Sequence, residues 1–214
     1  MLAFFALALA LAGAAAFAYA RYLHPTGTVM PGIYAVRHYN NGMPMVNFFI
    51  LRAGEKYIAI DAGACNLQTE SALRRLDIPA GDIVAVFDTH ADSDHVGSLG
   101  LFYRAIIYTA SAEGRAFPDM PRNIMLDGET VEIYGRRVQI FYTPGHTIDS
   151  ACFLVDGRYL FVGDLLVHPG HARYDAELQV YHRERMLGMD GVRYVFTGHF
   201  GLFRGARFFR WWWR

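Results

Sequence analysis

Thr89-His90-Ala91-Asp92-Ser93-Asp94-His95-Val96-Gly97 packs four side chains of metal-ligand type into six residues. It follows Val84–Phe87, four apolar residues that read as a buried strand. A helix is expected to start just after His95. In an extended loop alternate side chains point the same way, so His90, Asp92 and Asp94 share one side. His95 turns back as the helix begins. Imidazole nitrogens and carboxylate oxygens are the ligands zinc takes in catalytic sites.

Working outward, the same arrangement recurs at other strand ends. Thr143-Pro144-Gly145-His146-Thr147 follows an expected strand, Val138–Tyr142. Gly163-Asp164 follows Tyr159–Val162, and Gly198-His199 follows Tyr194–Thr197. Each puts one ligand-type side chain beside a small residue that lets backbone approach closely. Asp61-Ala62-Gly63 repeats the arrangement early in the chain.

The ordered set resembles the metallo-β-lactamase superfamily, whose first motif is usually His-x-His-x-Asp-His, followed by a Gly-His, an Asp and a final His. The resemblance covers residues from about 32 to 200. It implies an α/β fold, a four-layer αβ/βα sandwich with two facing mixed sheets, helices outside and metals at one edge. It also implies that His90, Asp92 and His146 hold a first metal and Asp94, His95 and His199 a second. Asp164 would bridge them. Asp61 matches an early aspartate beneath the site and is expected to orient a ligand histidine.

One residue departs from the pattern. Asp92 stands where the second histidine is usual. A carboxylate is harder and anionic, lowers the Lewis acidity of its metal, and suits iron or manganese better than imidazole does. Flavodiiron proteins of the same superfamily carry a carboxylate there. Two divalent ions are expected, zinc first, with iron or manganese as alternatives.

Such a site implies a hydrolase in which a metal-bridged hydroxide attacks an ester, thioester, lactone, amide or phosphoester of a small molecule. Asp94 is expected to serve also as a proton shuttle to the leaving group. The alternatives are an iron-dependent redox enzyme of sulfur dioxygenase or di-iron type, and a non-catalytic, membrane-tethered binding module. Asp92 argues against a true β-lactamase. The short stretch after His199 argues against glyoxalase-II-like thioesterases, which carry a C-terminal helical domain. His168, His171 and Arg173 follow Asp164 on a loop expected to border the pocket, where they would touch substrate. His24, His38 and His182 read as ordinary surface or core histidines.

The remaining segments read as mixed α/β. Gly32–Arg37, Val46–Arg52 and Lys56–Asp61, punctuated by Asn40-Asn41-Gly42 and Ala53-Gly54-Glu55, suggest an opening antiparallel meander. Leu67–Leu76 and Asp175–Met189 are expected helices; Ile106–Tyr108, Glu129–Ile133 and Ala151–Val155 are expected strands.

Twenty basic and twenty acidic residues leave no net charge, which argues against electrostatic nucleic-acid binding. Cys65 and Cys152 are too few for a disulfide scaffold or thiolate zinc site; free thiols are expected, with one disulfide as the alternative after export. Residues 1–20, MLAFFALALALAGAAAFAYA, carry no charge and match a bilayer core in length. They are expected to be an uncleaved membrane anchor, with cleavage after Ala18-Tyr19-Ala20 and export as the alternative. Residues 21–31 read as a connector, 32–203 as the hydrolase domain and 204–214 as an Arg/Trp tail suited to a membrane surface.

Overall fold

A computed structural model describes residues 25–110 and 120–205. The expected anchor, His24 and most of the Arg/Trp tail lie outside the described residues. Among those described, no helix is long and apolar enough to cross a membrane.

The meander forms as the turn residues dictate. β1 (Gly27–Met30), β2 (Ile33–Asn40), β3 (Met43–Ala53) and β4 (Lys56–Ile60) pair antiparallel in sequence order. Asn41 and Gly42 both take positive φ, 49° and 79°, as a two-residue hairpin loop requires. Helix α1 (Asn66–Leu76) then crosses over, ends at left-handed Asp77, and returns the chain to β5 (Ile83–Phe87) parallel to β4. β6 (Ile106–Thr109) and β7 (Arg122–Ile124) complete a seven-stranded mixed sheet.

The second sheet has six strands: β8 (Thr130–Ile133), β9 (Arg136–Tyr142), β10 (Ala151–Val155), β11 (Tyr159–Phe161), β12 (Tyr194–Thr197) and β13 (Gly201–Arg204). Helix α3 (Ala176–Leu187) connects β11 to its parallel neighbour β12.

Alternation along the strands builds the layers. Phe49 and Leu51 of β3 join Ile58, Ile60, Phe87, Ile140, Phe153, Phe161 and Phe196 between the two sheets. Phe48 and Ile50, one residue out of phase, face the other way with Leu73 of α1. On the far side, Leu154, Leu160 and Val195 pack with Met186 and Leu187 of α3. The result is the αβ/βα sandwich.

Two details differ from expectation. Gly27–Met30, read as connector, is an edge strand, and the second sheet runs on to Arg204, so the ordered fold exceeds residues 32–203 at both ends. The helix expected after His95 is one turn, α2 (Ser93–Val96), which contains His95. A Cβ on Gly97 would lie 2.6 Å from the Ser93 carbonyl oxygen and 2.7 Å from that of Ala64. The turn is thus wedged against the 61–64 loop and goes no further. Cys65 and Cys152 are both free, as expected.

Candidate metal centre

β4 and β5 run parallel, so Asp61 and His90 leave one end of the first sheet. In the second sheet β9 and β11 are each antiparallel to β10, and β12 is parallel to β11. The C-terminal ends of β9, β11 and β12 therefore share one edge and deliver His146, Asp164 and His199 there. Two direct links hold the sheet edges together. Asn47 N–H on β3 donates to the Gly198 carbonyl at 2.6 Å, and Ala151 N–H on β10 donates to the Thr89 carbonyl at 2.8 Å.

Three groups of ligand-type atoms result, each within 4.8 Å: His90, Asp92 and His146; Asp94, His95 and His199; and His90, His95 and Asp164. The first two are the expected triads. Asp164 touches both, with Oδ2 3.0 Å from His199 Nε2 and 3.5 Å from His146 Nε2, and Oδ1 3.3 Å from His95 Nε2. Ring centroids of His90 and His95 stand 4.1 Å apart.

Hydrogen bonds behind the rings decide which nitrogen faces the cluster. Asp61 Oδ1 accepts from Thr89 N–H at 2.7 Å, and its Oδ2 accepts from the Thr89 hydroxyl at 2.9 Å and from His95 Nδ1–H at 2.8 Å. The Thr89 hydroxyl, its proton committed to Asp61, accepts from His90 Nδ1–H at 3.0 Å. His199 Nδ1–H donates to the Met45 carbonyl at 2.6 Å. Each ring thus spends its Nδ1 proton on the scaffold and turns the Nε2 lone pair inward. Asp61, at φ 64°, serves two of the three.

The site is packed around small residues. A Cβ on Gly198 would lie 2.6 Å from Asp164 Oδ1 and 2.8 Å from His95 Cε1. One on Gly163 would lie 2.6 Å from the Thr89 hydroxyl.

Charge is concentrated here. Burial alone would lower the His95 imidazole, but Asp61 and Asp164 outweigh it and hold it well above the usual range. Burial would raise the Asp164 carboxyl; His95 and His199 instead hold it well below. Asp92 is likewise lowered, its burial outweighed by His146, His90 and Arg173. His199 is raised despite burial, by Asp164 and the Met45 carbonyl.

The residues fit a divalent metal on an independent ground. His90 Nε2, His95 Nε2, both ring nitrogens of His146 and Asp164 Oδ1 are buried without a hydrogen-bond partner. Leaving such atoms unsatisfied is costly. A cation among them removes the cost, and nitrogen and carboxylate donors suit one. The cluster is able to coordinate divalent metal.

The metallo-beta-lactamase superfamily model matches residues 42–199, which contain every one of these side chains. The chain belongs to the metallo-beta-lactamase superfamily. It is 29% identical over 159 residues to an atrochrysone carboxyl ACP thioesterase of Aspergillus fumigatus, covering 72% of this chain and 50% of that one. It is 33% identical over 109 residues to a hydroxyacylglutathione hydrolase of Synechococcus, covering 49% of this chain and 43% of the relative. The chain thus spans about half the length, or less, of these curated relatives. In three dimensions it resembles the flavodiiron protein of Giardia intestinalis, with TM-score 0.70, 17% identity, and 87% of this chain and 57% of that chain covered. At that identity the likeness shows the shared superfamily fold.

Against the superfamily pattern, the expected ligand-type residues converge and Asp61 lies behind His95 and Thr89. Asp94 is the outermost: its Oδ2 is 3.7 Å from His199 Nε2 and 3.9 Å from His95 Nε2. His168 caps and His171 ends an exposed 3-10 turn (Pro169–His171), their ring centroids 6.4 Å apart and outside all three groups. Arg173, expected at substrate, is hydrogen-bonded to Asp92 Oδ1.

Sequence reasoning missed the supports. Asn47 Nδ2 also donates to the Gly198 carbonyl, at 3.1 Å. Gln179 of α3 donates to the Leu165 and Val167 carbonyls just after Asp164. His38, read as an ordinary histidine, is buried under the 61–64 loop, where its Nδ1 accepts from Ala64 N–H at 2.9 Å. A glycine at 63, where a Cβ would lie 2.5 Å from His38 Cε1, was the one available signal.

Proposed function

We propose that this protein is a metal-dependent hydrolase of small-molecule esters or thioesters. The observation that carries the reading is the convergence of buried, partnerless imidazole nitrogens with Asp92, Asp94 and Asp164 at one sheet edge. The two curated relatives, one named a thioesterase and the other a hydrolase, support the same class.

His90, Asp92 and His146 would hold one cation, Asp94, His95 and His199 a second, and Asp164 would contact both. When bound, two such cations supply a nucleophile from water at neutral pH and draw charge from the bond under attack. The chain's own residues do the rest. Asp61, directly and through Thr89, keeps the His95 and His90 protons on Nδ1. The Met45 carbonyl does so for His199. Asp94, the more exposed carboxylate, passes a proton to the leaving group. His168 and His171 border the substrate on the loop whose Arg173 N–H donates to the His146 carbonyl at 2.9 Å.

Zinc is the metal this reading favours. Asp92 favours iron or manganese, and with iron the chemistry would be redox rather than hydrolytic. The uncharged segment 1–20 supports tethering to a membrane, tested by fractionating cells expressing the full chain and a variant lacking it.

The function is tested by assaying the metal-replete protein on esters, thioesters, lactones, amides and phosphoesters, beside a chelated sample. Turnover of an ester or thioester that disappears with chelation is expected. Activity unaffected by chelation contradicts the reading.

A further inference from the structure

We propose that Arg173 is a positioning residue that caps one oxygen of Asp92, so that this carboxylate meets its metal as a single-atom donor of balanced charge, in the manner of the histidine it replaces. The inference rests on the metal-dependent reading above and adds a role that the usual ligand pattern does not contain.

The two carboxylate oxygens of Asp92 have separate partners. Oδ2 lies 3.2 Å from His90 Nε2 and 3.4 Å from His146 Nε2, so it alone faces the imidazoles of the triad. Oδ1 accepts from Arg173 Nη2. A free carboxylate can offer both oxygens to a cation and brings a full negative charge. With Oδ1 held by a guanidinium, one oxygen remains for metal and the added charge is balanced. His90, Asp92 and His146 together with Arg173 then carry the same formal charge as three neutral histidines would.

Arg173 is held for this task by the loop that carries His146. Its N–H donates to the His146 carbonyl at 2.9 Å, and the N–H groups of Tyr174 and Asp175 donate to the Gly145 carbonyl at 3.3 and 3.0 Å. Asp175 in turn caps α3, its carboxylate accepting from Leu178 N–H at 2.9 Å. The backbone that carries the arginine is therefore fixed from behind by the ligand loop and by a helix start. An arginine suits the place because its charge is permanent and its planar fork matches a carboxylate.

The test is the visible spectrum and binding isotherm of cobalt(II) titrated into the chelated protein, since cobalt absorption reports coordination number and geometry. In Arg173→Met the freed Oδ1 is expected to join the metal, lowering the absorptivity as coordination number rises. Arg173→Lys should retain most of the wild-type spectrum. In an Asp92→His background, where there is no second oxygen to release, Arg173→Met should change nothing. A wild-type spectrum in Arg173→Met, or the same change in both backgrounds, overturns the proposal. So does an unchanged spectrum with a raised KM, which would make Arg173 a substrate contact. If wild-type protein takes up no cobalt, the metal reading itself fails, which is distinct from metal bound with Arg173 immaterial.

Discussion

Asp61 connects the scaffold to the ligands more directly than any other side chain. It takes the Nδ1 proton of His95 and, through the Thr89 hydroxyl, fixes that of His90. Losing such a partner typically costs 10- to 100-fold in metal affinity, roughly. Asp61→Ala is therefore expected to weaken zinc binding by about that factor, measured by competition with a chromophoric chelator; unchanged affinity would remove Asp61 from the account. Asp94→Asn should keep metal bound and lower turnover by about 100-fold, as loss of a proton donor does. Unaltered turnover would dismiss that role. His38 makes a prediction of a different kind. Burial lowers its imidazole to about 4 from 6.5, so the folded protein keeps it neutral. Above about pH 6.5 neither state is charged there and nothing is lost. As pH falls from 6.5 towards 4, the unfolded chain takes a proton the folded one refuses, and stability drops by up to about 3 kcal/mol. Urea unfolding of the metal-free protein should thus weaken more between pH 7 and pH 4.5 in wild type than in His38→Gln. Parallel pH profiles would contradict this.

At the scale of elements, the site depends on how closely strand ends can meet. Gly198 sits where a methyl would strike Asp164 and His95. Gly198→Ala is expected to abolish measurable metal binding while the circular dichroism of the sheets survives; full metal occupancy would show that the edge yields. The strands and helices that bury apolar faces were legible in the sequence. The helix expected at Leu67–Leu76 is Asn66–Leu76, and that expected at Asp175–Met189 is Ala176–Leu187. β1, β7 and β13 were not legible. Each is three or four residues long, β1 and β13 lie at sheet edges, and β7 is fully exposed, so no apolar alternation marks them. The clustered His and Asp residues were legible because metal chemistry limits the candidates to such side chains at strand ends. Asn47, Thr89 and Gln179 were not, because they act on backbone carbonyls, ring protons or another side chain, which many polar residues at many spacings could do. The Arg173–Asp92 pair spans 81 positions and follows no local rule.

For the whole molecule, protons and metal compete for the same atoms. His95 and His199 are held above the usual histidine range by Asp61 and Asp164. In the metal-free protein their raised values favour the protonated folded state at low pH, and that gain is lost as pH rises through them. Metal needs the deprotonated rings, so its affinity must fall as pH falls, and binding must release protons. Calorimetric titration in two buffers of different ionisation enthalpy should show that release; none would mean metal binds elsewhere. A metal that binds only the assembled edge would also stabilise the fold, by about 2.7 kcal/mol at one hundred times the dissociation constant. Both sheets contribute to the His/Asp cluster, so chelation should lower the melting temperature of the domain as a unit.

The most direct measurement is elemental analysis of the full chain, purified without added metal, beside a variant with His90, His146 and His199 replaced by alanine. The account predicts about two divalent ions per wild-type chain and almost none in the variant, as a binuclear site requires. A wild-type protein that carries no metal and takes up none on incubation, or a variant that keeps its full complement, would contradict it.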